Sequence, residues 1–311
     1  MTIRTFTPNP AIDRTLTVDS LHFDVPLRPT ARLDLPGGKG INVARAVGHL
    51  GRIARCHGVV AGYPGAWFVE RLDEEGIDHR FSVETSAAWQ TRTTTVVADD
   101  EHALLVYDRG DPVPEESLLA AVERCLADLE PGAVIVFCGS LPEGNHEVAV
   151  RRLLCGVRDR GAISIIDSSG SGLRYALSCG VDIIKVDHTE AAEVTGCTDP
   201  AASAVALLEG CERAVVTAGA SGAIAASRDG ERLRVPPAEV DARYPAGSGD
   251  AFAAALALGA AEGPGRWLQT LRAAAAAGAA NTLQAGAGAL DRDVYDALLK
   301  RIPAPTTFTT A

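Results

Sequence analysis

Four short apolar runs, rich in Val and Ile, constrain the fold more than anything else in the chain: Ala133 to Cys138, Ala162 to Asp167, Asp182 to Val186 and Arg213 to Thr217. None shows the polar alternation of a half-buried strand, so each reads as a strand covered on both faces. The stretches between them, roughly 145 to 160, 171 to 179, 188 to 196 and 200 to 210, read as helices. This succession predicts an α/β fold with a mostly parallel sheet and helices on both sides. Ligands of such sheets lie outside the carboxyl ends of the strands. Polar clusters fall at those ends: Gly139-Ser140-Leu141-Pro142, Asp167-Ser168-Ser169-Gly170, and Lys185 to Glu190.

Two segments break the pattern. Leu16 to Leu35 alternates as β-structure, and Thr91 to Val97 with Ala103 to Tyr107 reads as a strand pair around the turn Asp99-Asp100-Glu101. Both predict a small sheet standing off one large α/β domain over residues 1–311, with inserted lid segments at about 14–36 and 90–108. Such a sheet serves as a lid over the crevice and offers edges that want a partner. The tail from Ala304 to Ala311 reads as frayed.

A net charge of −11, with no concentrated basic stretch, argues against a nucleic-acid partner. The seven cysteines form no C-x-x-C pair and read as reduced thiols of a cytoplasmic protein. No apolar run reaches membrane-spanning length, so no membrane partner is expected.

Near the carboxyl end, Tyr244-Pro245-Ala246-Gly247-Ser248-Gly249-Asp250 runs directly into the Ala-rich stretch Ala251 to Ala261. A glycine-rich turn opening into a helix leaves backbone N–H groups unpaired, and the helix dipole adds positive charge there. That is an anion site. Asp250 at its mouth reads equally well as a helix cap or as the base that takes the proton of an attacking hydroxyl. Other motifs are absent: there is no G-x-x-x-x-G-K-[ST] loop, no H-E-x-x-H, no G-x-S-x-G elbow, and Gly37, Gly38 and Gly40 do not fit G-x-G-x-x-G.

Thr7-Pro8-Asn9-Pro10-Ala11-Ile12-Asp13-Arg14-Thr15, then Gly37-Gly38-Lys39-Gly40-Ile41-Asn42-Val43-Ala44-Arg45, then Gly139-Ser140-Leu141-Pro142, and finally Gly247-Ser248-Gly249-Asp250 follow one another in this order. Together they resemble the ribokinase-like (PfkB) carbohydrate kinases over essentially the whole chain. The first pair is most similar to the branch that phosphorylates phosphosugars. The resemblance implies a three-layer α/β/α sandwich with a β lid, ATP as donor, Mg2+ as required ion and a homodimer joined through the lids.

It also implies roles. Asp250 is the expected base, with Gly247, Ser248 and Gly249 holding the phosphoryl group in flight. Asp13 and Asn42, with Gly38 and Ser140, are expected to bind the sugar. Lys39 and Arg92 supply the cations for its phosphate. On the nucleotide side stand Lys185, the loop Thr217-Ala218-Gly219-Ala220-Ser221-Gly222, and Asn281 facing the adenine. The family's K-P-N-x-x-E reads here Lys185-Val186-Asp187-His188-Thr189-Glu190, so Asp187 replaces an Asn beside Glu190 where metal is handled. The expected reaction is ATP-dependent phosphorylation of fructose 1-phosphate to fructose 1,6-bisphosphate. Fructose 6-phosphate or tagatose 6-phosphate are the alternative acceptors, and a sugar-phosphate sensor without turnover is the alternative from another class.

Overall fold

The structure, a computed structural model, describes residues 1–85, 88–99 and 102–308. In the main sheet β1 (Ile3–Thr7) is the third strand from one edge, paired in parallel with β4 (Ala54–Ala61) and β8 (Val134–Cys138). Beyond β4 comes β5 (His79–Glu84); beyond β8 come β9 (Ile163–Asp167), β10 (Val181–Asp187) and β11 (Cys211–Thr217), all parallel. β12 (Ala223–Ser227), β13 (Arg232–Val235) and β14 (Thr306–Thr307) complete the sheet as an antiparallel edge.

Helices cover both faces. One carries α3 (Glu115–Leu126), α4 (Glu147–Asp159), α5 (Gly170–Cys179), α6 (His188–Thr195) and α7 (Pro200–Leu207). The other carries α1 (Lys39–His49), α2 (Gly62–Glu74), α8 (Ser248–Glu262), α9 (Trp267–Asn281) and α10 (Arg292–Arg301). Ile165 and Ile166 of β9 are both fully buried, one in each core, which is why the run carried no polar alternation.

A separate four-stranded sheet has the order β3 (Ala31–Gly37), β2 (Ala11–Thr17), β6 (Arg92–Ala98), β7 (Ala103–Tyr107). The expected β-structure from Leu16 to Leu35 is corrected at its start and in its middle. β2 begins at Ala11, and residues 18–30 contain no strand, because Pro26 and Pro29 lack ladder donors and Asp24 takes a φ of 65°. Asp13 therefore sits within a strand, not just past one. The expected turn at 99–101 lies partly outside the described residues, as do 309–311 of the tail. Thr306 and Thr307 are not frayed: they pair with β13, and the Arg234 guanidinium lies 5.7 Å from the Phe308 ring centroid.

On β4, His57 is 1% exposed and neither ring nitrogen has a hydrogen-bond partner. Burial, then Arg4, Arg55, Arg80 and Arg124 around it, push its pKa from 6.5 down to about 3. The unfolded chain therefore takes up a proton that the folded chain refuses. Stability is unaffected above about 6.5 and declines as pH falls from there toward 3. A His57→Leu variant should lose less Tm than the parent between pH 7 and pH 5; equal losses would assign the acid sensitivity elsewhere.

Candidate active site

The glycine turn before α8 adopts the expected form. Gly247 is the N-cap at φ 84°, in the left-handed region, and a Cβ there would fall 2.5 Å from the Ala287 Cα. A Cβ on Gly249 would fall 2.8 Å from the Lys185 Nζ. Backbone conformation and backbone neighbours require glycine at Gly247, and a lysine ammonium sits directly beneath Gly249. α1 starts the same way, with Gly38 as N-cap at φ 104°. Neither helix has a side-chain cap; Ser248 N–H turns back to the Pro245 carbonyl at 3.3 Å, whereas the Gly249 amide of α8 and the Lys39 and Gly40 amides of α1 are left for an outside anion.

Asp250 does not cap α8. Its Oδ2 instead accepts a 2.8 Å hydrogen bond from Asn42 Nδ2, and the residue is 6% exposed. Arg45, one turn along α1, donates to Asn42 Oδ1 at 3.0 Å and to the carbonyls of Ala287 and Pro36, while pairing with Glu75. An Arg can only donate, so Arg45 fixes which end of the Asn42 amide faces Asp250. Burial, then the charge of nearby Asp167, raise the Asp250 carboxyl to about 6, against the opposing pull of Lys39, Asn42 and Lys185.

Asp167, at the end of β9, is the hub of the charge network. It is fully buried, with Oδ1 2.9 Å from Lys39 Nζ and Oδ2 2.9 Å from Lys185 Nζ. Burial alone would raise its pKa, but Lys185 and Lys39 hold it below the usual carboxylate range. Lys39 also reaches Glu190 Oε1 at 3.3 Å. Although burial acts against the charge on Lys39, these carboxylates raise its pKa. The ammonium expected to await a sugar phosphate is thus already embedded between two acids beside Asp250.

Lys185 is 3% exposed and paired with Asp167, with its ammonium beneath the Gly249 turn. The expected placement of Asn281 on the adenine is corrected. The residue is fully buried, its Nδ2 donating to the Ala246 carbonyl and its Oδ1 accepting from the Gly288 amide, so it clamps the turn and faces no crevice.

At the start of α6, Asp187 forms a capping box with Glu190. Asp187 Oδ1 accepts from the Thr189 and Glu190 amides at 2.8 Å each, and Glu190 Oε2 accepts from the Asp187 amide at 3.0 Å. Asp187 Oδ2 has no partner among the described residues. Next to it, Thr217 ends β11 in register with Asp187, and Ala218 N–H donates to the Gly222 carbonyl at 2.8 Å, closing a tight loop through Gly219. Ser140 is exposed and follows Gly139, whose amide donates to the Asp167 carbonyl.

Toward the lid, Asp13 accepts from Thr94 Oγ1. Its pKa is raised by burial, against Thr94, Arg92, Arg45 and the Gly38 amide. Arg92 donates to the Asp108 carbonyl at 2.9 Å, and its buried Nε has no partner. Asp167, Arg45 and Thr94 are the residues that sequence reading left without a role. The only signal for Asp167 was its position at a strand end; for Arg45 it was the i, i+3 spacing from Asn42.

The site thus joins an uncapped anion turn, a buried carboxylate near neutrality, two lysines sharing one acid, and a second acidic pair. The sequence matches the pfkB family of carbohydrate kinases over residues 9–293. It is 30% identical over 292 residues to the ATP-dependent 6-phosphofructokinase isozyme 2 of Escherichia coli, covering 91% of this chain and 93% of that one. The 1-phosphofructokinase of Haloferax volcanii is 32% identical over 296 residues, covering 90% and 92%. The crystal structure of phosphofructokinase-2 from Escherichia coli in complex with fructose-6-phosphate superimposes with a TM-score of 0.87 at 27% identity, over 97% of this chain and 99% of that one. On its sequence, its fold and the order of its motifs, the chain belongs to the pfkB family of carbohydrate kinases.

Proposed function

We propose that this chain transfers the γ-phosphoryl group of ATP to a hydroxyl of a ketohexose monophosphate, with fructose 1-phosphate as acceptor and fructose 1,6-bisphosphate as product. The observation that carries this reading is Asp250: a buried carboxyl raised to about 6, in the first turn of a helix whose amides are uncapped. A base with a pKa near the working pH is best placed to take the acceptor's proton as its oxygen attacks phosphorus and the bond to ADP breaks. The turn Gly247-Ser248-Gly249, through the free Gly249 amide, stabilises the charge in transit, and Lys39 stands beside it. Asp13 and Asn42 hold sugar hydroxyls.

The nucleotide runs toward the Thr217 to Gly222 loop. Mg2+ bound with it neutralises phosphate charge, and it needs few protein ligands because it keeps several waters. The free Asp187 Oδ2 and the neighbouring Glu190 fit that requirement and are the residues that would hold it.

Fructose 6-phosphate is the second reading, favoured by the relatives named 6-phosphofructokinase. A coupled ADP-release assay over fructose 1-phosphate, fructose 6-phosphate, tagatose 6-phosphate and unphosphorylated fructose decides between them. Folded protein that releases no ADP with any of the phosphosugars would leave the sensor reading. Arg92→Ala should lower kcat/KM for the preferred phosphosugar by about 1.5–3 kcal/mol, the range of a charge-assisted hydrogen bond, mainly through KM. An unchanged KM would move the phosphate site away from Arg92.

The homodimer is assigned to the lid. Every residue of β7 is exposed, and Leu104, Leu105, Val106 and Tyr107 lie on that edge strand. The seven free thiols suit a reducing cytoplasm. Light scattering should give a dimer at micromolar concentration, and a charged substitution at Leu105 should shift it to monomer. A monomeric parent would count against the lid interface.

A further inference from the structure

A cavity of about 330 Å³ lies between the main sheet and helices α8 and α9, at the end of the sheet opposite Asp250. The strands contribute the starts of β9, β10 and β11, where Ile163, Ile183 and Arg213 line it; the helices contribute Ala260 and Trp267. Ala260 lies ten residues along α8 from Asp250, about 15 Å at 1.5 Å per residue. The cavity is therefore separate from the kinase centre, and it is of a size that takes small organic ligands.

Its charges are unequally engaged. Asp182 Oδ2 accepts from the Ser164 amide and hydroxyl at 2.8 and 2.7 Å. Glu212 pairs with Arg228 at 3.1 Å, and Arg228 also donates to the Leu208 and Glu209 carbonyls. Asp229 accepts from the Glu231 amide. Arg213 differs: its guanidinium stacks 4.7 Å from the Trp267 ring centroid and feels the charge of Asp229, but makes no hydrogen bond or ion pair with any described residue. Stacking holds the planar fork in place while leaving its N–H groups for an acceptor.

We propose that this cavity binds a small monocarboxylate with a flat apolar body, its carboxylate paired with Arg213 and its body against Ile163, Ile183 and Ala260. The fork of Arg213 matches a carboxylate bidentately. A single negative charge is the limit, because three carboxylates already stand around the cavity and would repel a dianion. An ammonium ligand is disfavoured by Arg213 itself, which also occupies the face of Trp267.

The probe is indole-3-acetate, titrated calorimetrically into the full chain, with indole-3-acetamide and tryptamine as the neutral and cationic counterparts. Binding of the acid is expected, at least ten-fold weaker for the amide and for Arg213→Gln, and undisturbed by saturating fructose 1-phosphate or, separately, saturating ATP. Ala260→Leu, which fills the cavity without touching Arg213, should abolish binding and keeps the test open should Arg213→Gln fail to fold. Four results would each overturn the proposal: no binding of the acid at millimolar concentration, tryptamine binding as tightly, displacement by the substrates, or full binding to Ala260→Leu.

Discussion

Asp250→Asn is expected to lower kcat by about 10²-fold or more, the scale of a lost general base, while the protein becomes more stable. The stability sign follows from the raised carboxyl. A group lifted from 3.8 to about 6 in the folded state is ionised at neutral pH at a cost on the order of 3 kcal/mol. That cost is relieved as pH falls from about 6 toward 3.8, where the parent binds its proton in the folded state first. An Asn carries no such cost at any pH, so the variant's advantage should be largest at neutral pH and shrink on acidification. In the parent, kcat/KM should fall about ten-fold per pH unit below about 6, as the base is protonated. Turnover close to normal in a folded Asp250→Asn protein would remove the base from Asp250. A variant less stable at pH 7 would mean that the carboxylate serves the fold.

The elements that sequence alone made legible are those whose signal is local. The runs ending at Cys138, Asp167, Val186 and Thr217 became parallel strands, because a strand covered on both faces must be apolar throughout. The turn at Gly247 to Asp250 was legible because Gly247 is required by its left-handed backbone and by the close Ala287 and Gly288 backbone. Contacts across the chain were less legible. Lys39 meets an acid 128 positions away, so its commitment to Asp167 left no trace in its own neighbourhood, and a flanking pair of glycines looked like room for a ligand. Asn281 looked like a base-reading amide because nothing in a helix end reveals that the Ala246 and Gly288 backbones take both its ends. Asp187 carries two signals at once: D-x-x-E at a helix start is a capping box, and at the end of a sheet strand it is also an acidic pair.

Asp167→Asn should move stability in the opposite direction. The substitution keeps the shape of the side chain but removes the acid shared by Lys39 and Lys185. Lys39 retains Glu190 and is partly exposed, so it keeps a counter-charge. Lys185, with 4% of its side chain exposed, retains no ion pair among the described residues, only the unbonded charge of Asp250. Breaking a buried pair by removing one partner costs about 3–5 kcal/mol, because the remaining charge must be buried alone or neutralised. Denaturant unfolding at pH 7 checks this loss. The same change reaches the reaction through a different route. The Asp167 charge is the main contribution after burial to the raised Asp250 carboxyl, so without it the lower limb of the kcat/KM profile should shift to more acid pH. A merely structural acid would lower stability and leave that limb in place. Asp250→Asn and Asp167→Asn each remove one negative charge from the same few ångströms of protein, yet the first should stabilise and the second destabilise. The difference lies in which carboxylate the two lysines hold ionised and which one is kept close to its proton for the acceptor hydroxyl.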